Sequence, residues 1–166
     1  KDNSLIIDVC SVKEYPVKLL KELLPKKVQI LATHPMFGPD SAAESLKGNK
    51  IVLCKIRVKD EKYEKIISYL KEKGLIVIET TPEKHDIESA KSLLLTHFIG
   101  RALIDFGATS MEIDTEGYKK LMKILDTVQN DTTQLFEDMN KYNKYSKKIR
   151  DGFIKALNII NRRLEK

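Results

Sequence analysis

At Pro82 the hydrophobic pattern of this 166-residue chain changes period, and that change bounds what it can fold into. Upstream, short apolar runs recur: LIIDVC (5–10), VQILAT (28–33), KIVLCKIRV (50–58) and LIVIET (75–80). Each is rich in β-branched residues and bracketed by turn signals, which predicts four strands. Between the first two lies SVKEYPVKLLKELLP. Its Val17, Leu19, Leu20, Leu23 and Leu24 suit a short helix stopped by Pro25. DEKYEKIISYLKEKG (60–74) predicts a second helix, with Tyr63, Ile66, Ile67 and Leu70 on one face, Asp60 as N-cap and Gly74 as C-cap. Strands alternating with helical crossovers predict an α/β layered sheet of parallel strands. Four strands with so few helices would leave an open edge and one thinly covered face.

Downstream only helical periodicity remains. Residues 82–108 predict one long helix, with Pro82 near its start and Gly107 near its end. Residues 114–129 predict another, and 131–166 one or two more. A boundary near Pro82 therefore separates residues 1–82, half of an α/β sheet, from residues 83–166, a helical bundle. In the long helix, Leu93, Leu94, Leu95, Phe98, Ile99, Leu103 and Ile104 spread widely around the axis. Such a helix is buried on more than one side, which points to a partner chain.

Composition narrows the function. Apolar residues make up 42% and charged residues 33% of the chain, the balance of a globular protein. The net charge of +6 is spread over alternating Lys and Glu, which reads as solvated helix faces. A nucleic-acid-binding helical domain is the weak alternative, since no basic stripe interleaves with aromatics. Cys10 and Cys54 sit in strand-like runs without CxxC spacing, which predicts buried free thiols in a reducing compartment. No apolar run approaches the length of a membrane span, no signal peptide is visible, and no HExxH or Cys/His cluster suggests a metal.

The stretch ATHPMFGPDS (32–41) carries the clearest chemical signal. His34 follows the second strand, and in open α/β sheets the carboxyl ends of strands are where ligands bind. Histidine is the side chain most readily poised as a proton acceptor near neutral pH. Pro35 restricts His34 to extended backbone, and Gly38 and Pro39 fix the return of the loop. The bland alternative is a histidine that bonds a carbonyl at a strand end. Ser11 holds the matching place after the first strand, either beside His34 or as the N-cap of helix 14–24. Lys13 is adjacent and could serve a phosphate or carboxylate. His97 and Arg101 share a helix face, where they could receive a carboxylate, or His97 could be a satisfied core residue. His85 and Asp86 read as polar residues of a first helical turn.

DVCSVKEYPVKLLKELLP followed by ILATHPMFGPDS resembles the prephenate and arogenate dehydrogenases of tyrosine biosynthesis. PEKHDIESAKSLLLTHFIGRAL and IDTEGYKKLMKILDTVQNDTTQLFEDMNKYN resemble the helical domain of the same family, closest to its plant-type arogenate branch. The resemblance implies the second half of a Rossmann-like parallel sheet, followed by a 6-phosphogluconate-dehydrogenase-like helical domain that forms a homodimer. It implies NAD- or NADP-dependent oxidative decarboxylation of prephenate or arogenate, in the cytoplasm or in a plastid. His34 would be the catalytic base and Ser11 would hold the reacting hydroxyl. Ser11 and Pro35 would lie against the cofactor, and His97, Arg101 and Lys13 would bind substrate. Two departures stand out. The glycine-rich nucleotide fingerprint is absent, so the chain is expected to be a carboxy-terminal piece that turns nothing over alone. The stretch 119–140 lacks the arginine of many prephenate-using members, which leaves Arg101 as the substitute and leans towards arogenate. The competing class is a non-catalytic dimerisation or regulatory module derived from the same fold.

Overall fold

A computed structural model describes residues 4–38 and 42–165. The chain falls into two units, Lys1–Asp86 and Ile87–Lys166.

In the first unit the elements run β1 (Leu5–Asp8), α1 (Glu14–Leu23), β2 (Gln29–Pro35), β3 (Lys50–Arg57), α2 (Asp60–Glu72) and β4 (Ile76–Glu79). A third helix, α3 (Pro82–Lys91), begins here and runs past the division. The sheet order is β1-β2-β3-β4. β1 pairs with β2 and β3 with β4 in parallel, but β2 and β3 are antiparallel. The all-parallel expectation therefore fails at the centre of the sheet. An antiparallel neighbour needs only a reversal of the chain between Pro35 and Lys50, and the turn Leu46–Asn49, with Gly48 at φ 83°, leads into β3.

The alternating side chains of the two central strands feed two cores. Leu31, Ile51 and Leu53 pack with Tyr63 and Ile67 of α2 on one face. Ala32, Val52 and Cys54 pack with Val17 of α1 on the other. β1 lies at an edge, and its Ile6 and Ile7 are exposed where the run LIIDVC predicts burial. That strand stops at Asp8, whose carboxylate accepts the Cys10 N–H and turns the chain away. Cys10 is consequently exposed, and only Cys54 is buried.

Helix ends follow local chemistry. α1 gives way at Leu24 to extended backbone, as the following Pro25 requires. α2 begins at Asp60 itself, one residue after its cap position, and Asp60 pairs with Lys55. Gly74, at φ 84°, then closes α2 in the left-handed region.

The expected single helix over 82–108 is two, α3 and α4 (Leu93–Phe106). Ser92 leaves helical geometry at φ −112° and ψ −83°, and its hydroxyl donates to the Glu88 carbonyl at 2.8 Å. A serine that bonds back to the preceding turn bends a helix. The second unit continues with α5 (Glu116–Gln129), α6 (Thr133–Tyr142) and α7 (Ser146–Leu164). Thr115 and Thr132 cap α5 and α6 through their side chains. α4 packs most extensively on α5, where Gly100 lets the helices approach. A Cβ at Gly100 would fall 2.5 Å from a Val128 methyl.

Candidate active site

His34 lies within β2, not past its end, because pairing with β3 carries the strand on to Pro35. The parallel ladder with β1 stops at Asp8 and Ala32, so His34 stands beyond that ladder while still held by Val52 opposite. It shares the α1 face of the sheet with Ala32 and is 5% exposed. Pro39, Asp40 and Ser41, the return of the HPMFGPDS loop, lie outside the described residues.

The partner of His34 comes from the start of α3. Thr81 accepts the Lys84 N–H through its hydroxyl and the His85 N–H through its carbonyl, which fixes the register of the first turn. That register buries both His85 and Asp86. His34 Nδ1 lies 2.9 Å from His85 Nε2, with the rings edge-on at 64°. His85 Nδ1 in turn lies 2.8 Å from Asp86 Oδ1. The same carboxylate accepts the backbone N–H groups of Lys13 and Glu14, at 2.8 and 2.9 Å. Asp86 thus caps α1 from a distant part of the sequence, where the helix presents unpaired donors and positive potential.

Behind this chain of contacts sits a buried ion pair. The Lys13 ammonium is fully enclosed and donates to the Asp8 carboxylate and the Thr33 carbonyl. The Thr33 hydroxyl donates to the Asp8 carbonyl at 2.6 Å and ties the end of β1 to β2. Removing one member would strand a buried charge, at a cost of about 3–5 kcal/mol. Ser11 is half-exposed in the β1–α1 loop and does not cap α1, since Asp86 takes those donors.

Burial is the main reason the pKa of His34 is pushed down to about 3, reinforced by His85 and the Lys13 charge and opposed by Asp86. His34 is therefore neutral at pH 7, and a neutral imidazole can accept a proton.

The second unit holds a looser cluster. His97 is 6% exposed, with Nδ1 3.5 Å from the Asp131 carboxylate and without a hydrogen bond. Arg101 donates to the Asp131 backbone carbonyl and lies over the Phe136 ring, while its Nε is buried without a hydrogen bond. Burial lowers the His97 pKa, with Asp131 opposing and Arg101 reinforcing. The shared helix face read from the sequence thus leads both residues to Asp131.

Sequence reasoning overlooked Asp8, Thr33 and Asp131, and gave His85 and Asp86 no chemical role. A signal for the last two existed. Asp86, Ser89, Ala90 and Leu94 fall at helical spacing and are all buried. Extending the apolar stripe of Ala90 and Leu94 back one turn would have placed Asp86 inside.

A family model described as the prephenate dehydrogenase nucleotide-binding domain matches residues 1–79. Another, described as a TYRAAT1-like C-terminal domain, matches residues 102–166. Arogenate dehydrogenase 2 (chloroplastic) of Arabidopsis thaliana is 38% identical over 146 residues, which are 85% of this chain and 41% of the relative. Arogenate dehydrogenase 1 (chloroplastic) of the same plant is 34% identical over 86% of this chain and 23% of the relative. The chain thus spans less than half the length of these relatives. The crystal structure of Aquifex aeolicus prephenate dehydrogenase with hydroxyphenyl propionate and NAD+ superposes with a TM-score of 0.67. The match is 26% identical and covers 98% of this chain and 61% of the other. By sequence and by fold, the chain is similar to the prephenate and arogenate dehydrogenases, and residues 1–79 match the nucleotide-binding domain of that family.

Proposed function

We propose that this chain supplies the catalytic base and part of the substrate site of an enzyme that oxidatively decarboxylates prephenate or arogenate in tyrosine biosynthesis. The observation that carries the reading is His34: buried, neutral, rigidly partnered, and at the end of β2 where open sheets bind ligands. The carboxyl ends of β1 and β2 fit the reacting end of a nicotinamide cofactor. Ser11 offers a half-exposed hydroxyl, Pro35 lies in the strand end, and Val9 and Met36 are exposed apolar neighbours. A bound NAD or NADP supplies the hydride acceptor.

The chain's own residues do the remaining work. As hydride leaves the ring carbinol carbon, His34 takes the hydroxyl proton, so that no alkoxide charge accumulates. Loss of CO2 then returns an electron pair to the ring and makes it aromatic, and His34 gives the proton back to the phenolic oxygen. Ser11 holds the same hydroxyl in register. Lys13, held by Asp8 and Thr33, acts on the site through its charge behind the imidazole. In the helical unit, His97 and Arg101 bind a substrate carboxylate, and the arginine-free stretch 119–140 favours arogenate.

The helical unit also mediates a homodimer. Ile154, Leu157, Ile160 and Leu164 line α7 at helical spacing and are 43, 50, 54 and 81% exposed. An apolar stripe of that length on a surface helix marks an association face. No described helix is long and apolar enough to cross a membrane. The chloroplastic relatives fit a plastid setting.

The deciding assay offers prephenate and arogenate, each with NAD and with NADP, to the whole enzyme and to its His34→Asn variant. Reduction of cofactor with one substrate, lost in the variant, supports the reading. No reduction with either substrate leaves the dimerisation module as the better account.

A further inference from the structure

We propose that His85 and Asp86 are positioning residues that hold neutral His34 in one tautomer, with the proton on Nδ1 and Nε2 bare. The argument follows the donors. Asp86 Oδ1 receives the Lys13 backbone N–H and Oδ2 receives that of Glu14, and a backbone N–H can only donate. The carboxylate is therefore the acceptor, so the 2.8 Å contact to His85 requires a proton on His85 Nδ1. A neutral imidazole carries one proton, which leaves His85 Nε2 as an acceptor. The 2.9 Å contact then requires a proton on His34 Nδ1. Each histidine's proton address is thus set by the bond its other nitrogen makes.

The opposite arrangement needs a doubly protonated His85, which would donate to His34 Nδ1 and leave the proton on Nε2. In that arrangement His34 Nε2 could only donate, so the reading of His34 as a base and the proposed tautomer go together. Among the described residues, the charged groups that act on His34 or bond to its partners are Lys13 and Glu14 at the start of α1 and Asp86 on α3. Among these, Asp86 is directly bonded to His85, and it already answers two backbone donors.

The arrangement has a consequence for the reaction. When His34 takes a proton on Nε2, its Nδ1–H remains bonded to His85. The resulting imidazolium keeps its orientation and faces an acceptor backed by a carboxylate, so it can return the proton along the same line. Asp86 also holds the first turn of α1, so one carboxylate fixes both the base and the end of the loop that carries Ser11.

The test has a spectroscopic arm and a kinetic arm. Protein labelled with 15N-histidine is examined by long-range 1H–15N correlation at pH 8, with His34 assigned by its absence in His34→Asn. A protonated-type shift at Nδ1 and an unprotonated-type shift at Nε2 are expected, and the reverse pattern overturns the proposal. This arm is independent of any activity. The kinetic arm rests on the reading of His34 as the base and uses the whole enzyme. His85→Leu should lower kcat by about tenfold to a hundredfold with little change in KM, the usual scale for losing a partner that orients a reacting group. Its acid limb should move to lower pH, because the His34 imidazolium loses the acceptor that faces its Nδ1–H. His85→Gln, which can still accept from His34, should recover most of kcat. A pH profile and kcat unmoved in His85→Leu would overturn the positioning role, even with the expected tautomer present. If instead His34→Asn leaves turnover intact while the tautomer stands, the enzyme reading fails and the relay survives.

Discussion

Both histidine clusters set an imidazole near an aspartate, and they differ in closure. In the first unit His34, His85 and Asp86 form unbroken contacts of 2.8–2.9 Å. In the second, His97 stands 3.5 Å from Asp131 with its Nδ1 unbonded, and Arg101 keeps a buried Nε without an acceptor. A closed network has its protons assigned before a ligand arrives, which suits a group that must accept a proton in a fixed direction. An open one keeps donors in reserve, which suits a group that must meet a ligand. The contrast predicts that damage to the first cluster appears in turnover, and damage to the second in substrate affinity.

The largest effect tests the closed cluster at its reacting end. His34→Asn keeps a polar side chain but removes the imidazole. Turnover of the whole enzyme should fall by about two to four powers of ten, the share usual for a general base. A loss under about fivefold would take His34 out of that role and remove the contrast.

Acid tests the same cluster without substrate. The pKa of His34 falls from an ordinary 6.5 to about 3 in the folded chain. Between those values the unfolded chain binds a proton that the folded chain refuses. Stability is therefore full above pH 6.5 and declines as pH falls towards 3, by up to about 1.4 kcal/mol per pH unit from this one group. Urea titrations at pH 7, 6 and 5 should show a shallower decline in His34→Asn than in the wild type. Parallel declines would mean that the imidazole is not kept neutral by burial.

Much of this cluster could be read from the chain in advance, for identifiable reasons. His34 was legible because Pro35 and the preceding apolar run confine it to the end of a strand. The pairing of β1 with β2 was legible because α1 between them is long enough for a crossover. The antiparallel β2–β3 step was not, since side-chain alternation has the same period in either direction. The break at Ser92 was hidden because a serine fits a helical pattern until its hydroxyl finds the carbonyl four residues back. His85 and Asp86 were undervalued because their partners are remote: His34 is 51 residues away, and the Lys13 N–H is 73. Local periodicity carries no information about such pairs.

Gly100 gives a way to disturb the open cluster while leaving the closed one alone. It sits on α4 between His97 and Arg101, and an added methyl would meet Val128 at 2.5 Å and the Ile124 carbonyl at 3.1 Å. Gly100→Ala must push α4 from α5, at a cost of about 1–3 kcal/mol, as usual for overpacking. Chemical denaturation should register that loss. In the whole enzyme KM should rise while the pH dependence of kcat stays in place. A shift of the acid limb instead would mean that the clusters are coupled.

Arg101→Ala is the smallest step and the most direct probe of the open cluster. The guanidinium holds the Asp131 carbonyl and stacks on Phe136, so its loss removes packing as well as charge. Arg101→Lys separates the two, because it keeps the charge and loses the planar fork. If Arg101 binds a substrate carboxylate equally in the ground and transition states, Arg101→Ala raises KM by about tenfold with kcat nearly constant. Arg101→Lys would then recover part of the affinity. If Arg101 serves only to tie α4 to the Asp131 loop, both variants lose stability to denaturant and leave KM where it was. The second unit would then hold its arginine for structure, and the affinity attributed to it would have to come from His97.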